Sequence, residues 1–244
     1  MRSVLGCVLG AAFVFGAAPI ASAADRMVMK APPAAVANWS ACYVGINGGY
    51  ASAPKDWTFI DGTFVPVGSH TAKGWAAGGQ IGCDWQVNSI WVLGARVMYD
   101  WADLTGSNIE TAFTGHTVNT QVRGFGTAVA RAGWQANPSL VFYVLGGLAW
   151  VHDKHWEANR TTGGIDGLGY TTRVGFDVGV GAEYLINPNW SVFVEYDYMG
   201  FGTRRVDLNL VVAPGIEQYD IKQSLQKVLV GLNWRWNSAG LGRW

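Results

Sequence analysis

The sequence predicts an all-β protein: an eight-stranded antiparallel up-and-down barrel that crosses a membrane on its strands, with short turns at one end and long loops at the other. Three observations predict it. Apolar residues recur at every second position in eight segments, the period of a strand. The connections between segments alternate strictly between long and short, as in transmembrane barrels. Aromatic residues mark the ends of the apolar faces, where a barrel meets the two membrane interfaces. The composition agrees, because 33 Gly and 13 Trp accompany only 14% charged residues. The formal net charge is zero, which gives no electrostatic case for nucleic acid.

The chain opens on a targeting segment. Arg2 supplies the positive start, Val4 to Ile20 the apolar run, and Ala21-Ser22-Ala23 a small-x-small cleavage site. This predicts a signal peptide at 1–23, against the competing reading of an uncleaved anchoring helix. Cys7 comes before the core of that apolar run instead of after it, so acylation there is not expected. Residues 24–38 carry Pro32-Pro33 and no period, and read as a flexible periplasmic lead-in. The barrel is expected over 39–236, with a tail at 237–244. No later stretch has the roughly 20 apolar residues that a spanning helix needs.

Strand one is expected at about 40–50, with Cys42, Val44, Ile46 and Tyr50 on one face and Tyr43, Gly45 and Asn47 on the other. A long polar segment, 51–72, follows. Strand two, about 73–86, alternates Ile81, Cys83 and Trp85 with Gln80, Gly82 and Asp84. The turn Val87-Asn88-Ser89 leads to strand three, about 90–101, where Trp91, Leu93, Tyr99 and Trp101 oppose Gly94, Arg96, Met98 and Asp100. A second long segment spans 102–118. Strand four, about 119–135, sets Ala128, Ala130, Ala132 and Trp134 against Val129 and Arg131, and Asn137-Pro138 turns it into strand five, about 140–151. There Phe142, Val144, Leu148 and Trp150 share the apolar face. A third long segment, 152–170, precedes a hairpin over 174–199. In it Phe176, Val178, Val180 and Tyr184 match Trp190, Val192, Val194, Tyr196 and Tyr198 across the turn Asn187-Pro188-Asn189. A fourth long segment, 203–219, leads to strand eight, about 220–236, with Val228, Val230, Leu232, Trp234 and Trp236 opposite Lys227, Gly231, Asn233 and Arg235.

Polarity orients the sheet. A soluble eight-stranded barrel puts its larger apolar residues inside. Here the second face holds Gly, Gln, Asn, Asp, Glu and Arg, so the apolar face is expected toward lipid. Trp85, Trp91, Trp134, Phe142, Tyr184, Trp190, Trp234 and Trp236 would form one aromatic girdle, and Tyr99, Trp101, Trp150, Phe176 and Tyr198 the other.

Several stretches taken in order resemble the small outer-membrane immunogenic proteins of alphaproteobacteria, also called porin-family or OmpA-like β-barrel proteins. They are W-x-x-x-Y-V-G-x-N-x-G at 39–49, G-x-Q-x-G-x-x-W-Q at 78–86, D-W-A-D-L at 100–104 and Y-V-x-G-G-L-A at 143–149. V-G-x-G-x-E-Y at 178–184, N-W-S-V-x-V-E-Y at 189–196 and V-G-L-N-W at 230–234 continue the series. The resemblance covers nearly all of the chain after the signal segment. It implies an eight-stranded barrel in the Gram-negative outer membrane with surface-exposed loops, and leaves activity unassigned. The chain departs from the family at Val129 and Phe193, where a basic residue is common, and at Arg96, where an acidic one is. The family usually ends in Phe, whereas here Trp236 takes that place and Asn237 to Trp244 follow. Gly231-Leu232-x-Trp234-x-Trp236 resembles the signal read by the barrel-assembly machinery.

The candidate chemistry lies on the inner face and in the loops. With Ile186 opposite Trp190, Glu195 faces Gly181 and lies diagonal to Glu183, about 7 Å away by Cα. Such a pair could serve as general acid and base. The favoured reading is a lumenal ion cluster of Arg96, Asp100, Arg131, Asp177, Glu183, Glu195, Lys227 and Arg235, because an eight-stranded interior is just wide enough for side chains to fill. No catalytic residues are assigned. No His-x-Ser pair supports an outer-membrane acyl hydrolase, and Gly179-Val180-Gly181 lies mid-strand with no helix to cradle a phosphate. His70, His116, His152 and His155 all fall in the expected loops. His152 and His155 are the weak candidates for haem or metal, the haem idea resting on what is attributed to some members of the resembled family. Cys42 and Cys83 project from the lipid face. One register sets them opposite, and a disulfide and two inert thiols both remain open.

The expected function is structural, in envelope integrity, with loops presented to host or environment. The expected partners are outer-membrane lipid, lipopolysaccharide and the assembly machinery. No resident cofactor is expected. A narrow pore or a haem-binding surface receptor is the alternative.

Overall fold

The computed structural model describes residues 38–60, 64–112, 114–211 and 214–236. The expected signal peptide, the lead-in through residue 37 and the tail lie outside the described residues. Eight strands follow in order: β1 (Ala41–Ile60), β2 (Phe64–Gln86), β3 (Trp91–Ile109), β4 (His116–Asn137), β5 (Leu140–Asn159), β6 (Ile165–Asn187), β7 (Trp190–Leu210) and β8 (Ile216–Trp236). Each pairs antiparallel with the next, and β1 pairs with β8 to close the barrel. Closure leaves no sheet edge, which is what allows strands to cross lipid.

Alternation decides which residues face lipid. Val44, Ile46, Ile81, Leu93, Val97, Val144, Val178, Val180, Val194 and Val230 are exposed on the outer wall. The girdle residues also face outward and touch in pairs, Trp134 on Phe142 at 6.3 Å, Phe176 on Tyr198 at 6.1 Å and Trp234 on Trp236 at 5.3 Å between ring centroids. Inside, buried Tyr43, Gln80, Arg96, Arg131, Asp177, Glu183, Glu195 and Lys227 line the wall.

The strands run several residues beyond what the sequence pattern suggests, by up to about ten, which corrects the expectation of long external loops. Most of 51–72, 102–118, 152–170 and 203–219 is paired strand, and only 61–63, 110–115, 160–164 and 211–215 connect at the outer end. A transmembrane strand needs about 9–11 residues, while β5 spans 20. The upper halves therefore stand clear of the bilayer, and there the polarity reverses. Ala51, Ala53 and Trp57 now face inward on β1 and are buried, while Asp56 and Lys222 face outward. Water outside replaces lipid, so the apolar residues move to the interior. Bulges accompany the change. In β7 the ladder to β8 shifts between Gly200 and Gly202, where Gly202 adopts φ 65°, a left-handed conformation that a side chain would strain.

The interior is packed along its height. Trp39, Val92, Val129, Val141, Tyr143, Leu145 and Leu185 cluster at the periplasmic end. Above them lie Met98, Phe193 and Leu229, then Leu104, Val122, Phe125, Val151, Phe201 and Leu225. Trp57, Val67, Val118, Val206, Leu208, Tyr219 and Ile221 fill the outer end. Trp39 closes the bottom, with its indole N–H donating to the Pro138 carbonyl at 3.2 Å. Cys42 and Cys83 stand opposite in the β1–β2 register and are joined by a disulfide.

Candidate functional site

Near the periplasmic end, four side chains from four strands form a closed ring of charge. Arg131 on β4 contacts Asp84 at 3.0 Å and Glu183 at 2.6 Å. Arg235 on β8 contacts the same two carboxylates at 2.9 and 2.8 Å. Ser191 Oγ and Asn233 Nδ2 each donate to Glu183, at 2.6 and 3.0 Å. The two guanidiniums also lie over the Tyr43 ring. Parity places Asp84 on the inner face, but the expected ion cluster leaves it out.

One level up, Arg96 grips Glu195 with both Nη atoms, at 2.8 and 2.5 Å, and the Tyr143 hydroxyl donates to Glu195 at 2.8 Å. Glu195 faces Gly181 across the β6–β7 register. Lys227 lies 3.4 Å from Asp100 and 3.3 Å from Asp197. Asp177 is buried as well, but neither of its carboxylate oxygens has a hydrogen-bond partner. Glycines make room for these groups. A Cβ at Gly94 would collide with the Asp84 carboxylate, one at Gly179 with Asp197, and one at Gly181 with the Tyr143 ring.

A further level lies above the outer girdle. Lys55 contacts Asp153 at 3.0 Å and donates to Gln223 at 3.0 Å, and Arg173 donates to the Ile221 carbonyl at 2.8 Å. His155 is fully buried here, its two ring nitrogens meeting Thr120 and Thr171 at 3.2 Å each. His152 points the other way, toward Thr172 on the outer wall. Three positions apart on one strand, the two histidines occupy opposite faces, so the structure does not bring the two haem candidates together. All four histidines lie on strands instead of in loops.

The outermost level was not anticipated. Glu110 just after β3, His116 at the start of β4 and Glu157 on β5 bring one donor atom each within 4.8 Å of one another. His116 Nδ1 pairs with Glu157 Oε1, and its Nε2 lies 3.8 Å from Asp166 on β6. From across the barrel, the Tyr219 hydroxyl sits 3.3 Å from Glu110, 3.4 Å from Glu157 and 3.2 Å from Glu217. These groups lie beyond the girdle, outside the membrane-crossing part of the strands. Burial first, then Glu217, Glu110 and Asp166, push the Glu157 carboxyl up to about 8. The signal that could have found this level is parity, because Tyr143, Val151, Asp153, His155 and Glu157 continue one inward series on β5 without a break.

The comparisons with known proteins agree with this architecture. The family model described as "Outer membrane protein beta-barrel domain" matches residues 21–235. A 31 kDa outer-membrane immunogenic protein of Brucella melitensis biotype 1 is 32% identical over 96% of this chain and 100% of its own length. A 25 kDa outer-membrane immunogenic protein of Brucella canis is 28% identical over 85% of this chain and 90% of its own length. Among solved structures, the outer membrane protein OprG of Pseudomonas aeruginosa matches at a TM-score of 0.50 and 13% identity, over 83% of this chain and all of that one. That likeness is one of fold.

Proposed function

Because this chain belongs to the outer membrane protein β-barrel family and resides in the Gram-negative outer membrane, we propose that its work is structural, as a rigid envelope barrel that carries a contact surface on its outer rim. The filled lumen is the observation that supports this reading. Apolar layers alternate with ion clusters from Trp39 to Tyr219. A pore needs a continuous polar path, and here Arg96, Arg131 and Arg235 are each engaged by buried carboxylates.

The same packing supports a non-enzymatic role. Glu183 and Glu195, the pair that resembles an acid and base, are each gripped by arginine. The relatives reported above are named as outer-membrane immunogenic proteins. The partners we propose are membrane lipid and lipopolysaccharide along the apolar wall, the assembly machinery reading Gly231, Leu232, Trp234 and Trp236, and a host or environmental ligand at the rim. The test is conductance. Purified protein in planar bilayers is expected to give no discrete channel openings, and its deletion to sensitise cells to detergent. Stable single-channel currents would overturn the structural reading in favour of a pore.

A further inference from the structure

The lumen below and the rim above treat charge differently. Lower down, Asp84, Glu183 and Glu195 meet arginine, Asp100 and Asp197 meet Lys227, and Asp153 meets Lys55. At the rim, among the described residues, Glu110, Glu157 and Glu217 form no ion pair with lysine or arginine. Three carboxylates instead converge on one hydroxyl, that of Tyr219. A hydroxyl has one proton to donate, so two of the three go without it. His116 can serve Glu157. Glu110, only 1% exposed, then has no donor of its own when the hydroxyl turns to Glu217. A buried carboxylate in that position needs a proton or a cation.

We propose that this rim cluster is a binding site for one divalent cation of the zinc class, held by Glu110, His116 and Glu157. The donor set is the first argument. One imidazole nitrogen and two carboxylates, from the residue after β3 and from β4 and β5, match the nitrogen and oxygen ligands that zinc takes, and the imidazole discriminates against calcium and magnesium, which prefer oxygen alone. Geometry is the second. The three donor atoms already lie within 4.8 Å of one another, and ligands at about 2.0–2.2 Å from one ion sit at most about 4 Å apart, so small side-chain rotations close the site. Support is the third. Tyr219 can donate to a ligating carboxylate while Asp166 lies beside the free ring nitrogen of His116, the arrangement that orients metal-bound carboxylate and imidazole. Access is the fourth, because the His116 side chain is 37% exposed and opens the cluster to the outside. The cation would tie the end of β3 to β4 and β5 at the mouth of the barrel.

The test uses the untagged protein isolated from outer membranes in detergent, stripped with chelator and titrated with zinc, then with cobalt as a spectroscopic stand-in. One zinc per barrel is expected, together with a visible cobalt absorption band that zinc abolishes. H116A and E157Q, checked for folding by their mobility on unheated gels, are expected to bind zinc at least tenfold more weakly. H152A is expected to bind as the parent does, and a tenfold excess of calcium is expected to leave the cobalt band intact. Absence of zinc uptake by the parent, uptake unchanged in both H116A and E157Q, or displacement of cobalt by calcium would each overturn the proposal.

Discussion

Glu195 shows how a single residue in this barrel is fixed by its surroundings. Its strand neighbour across the ladder is Gly181, whose missing side chain leaves the space that the Tyr143 ring takes, and the Tyr143 hydroxyl then donates to Glu195. Arg96 reaches the same carboxylate from β3 on the far wall. Removing the carboxylate strands a buried guanidinium, which costs about 3–5 kcal/mol. Glu195→Ala is therefore expected to lower the temperature at which the purified barrel unfolds, read as loss of the fast-migrating band on gels of stepwise-heated samples. An unchanged transition would show that Arg96 finds another partner. Pairing of this kind is only half visible in a sequence. The parity of Arg96, Arg131, Glu183 and Glu195 puts them inside. Which cation meets which carboxylate depends on the shear of the closed barrel, so the sequence alone does not bring Asp84 into the cluster and does not show that Asp177 lacks a hydrogen-bond partner there.

At the scale of the strand, the sequence is legible as far as the lipid extends. Below the outer girdle, apolar residues face out, and the contrast with the polar lumen marks each strand. Above it, water faces the outer wall, the apolar residues of β1 turn inward at Ala51, Ala53 and Trp57, and bulges such as that at Gly202 shift the phase. A pattern keyed to apolar residues facing out stops where the polarity of the two faces inverts. Lys55, Asp153 and Glu157 fall in expected loops for that reason, although their parity on β1 and β5 runs on unbroken. The β1–β2 ladder carries its own prediction. The Cys42–Cys83 bond encloses a loop with a sequence separation of 41, and constraining the unfolded chain this way stabilises by about 2–4 kcal/mol. Cys42→Ser with Cys83→Ser, or reduction before refolding, is expected to lower the denaturant midpoint without changing the β content by circular dichroism. An equal midpoint would mean that the bond adds nothing to the ladder already holding these strands.

Taken whole, the barrel is filled and its strands are longer than a membrane crossing needs. Fold, membrane orientation and the short turns near residues 88, 138 and 188 could all be read from period and punctuation. The height and the composition of the rim are harder to read, because the polarity contrast that marks a strand is lost once lipid no longer enforces it and only the parity that runs on to Glu157 on β5 remains as a signal. Closure of β1 on β8 has one more consequence. Cys42 pairs with Trp236, so the first and last described strands begin and end at the same, periplasmic rim. Between β5 and β6 the tip at 160–164 is exposed, and a cut there leaves both new ends held by ladders on either side. Trypsin added to intact cells is expected to nick at exposed Arg160, in the tip between β5 and β6. The nicked protein should still migrate as one compact barrel when unheated and separate into two pieces only on boiling. Wear at the surface would then go unfelt by the barrel, which would outlast the integrity of its own chain.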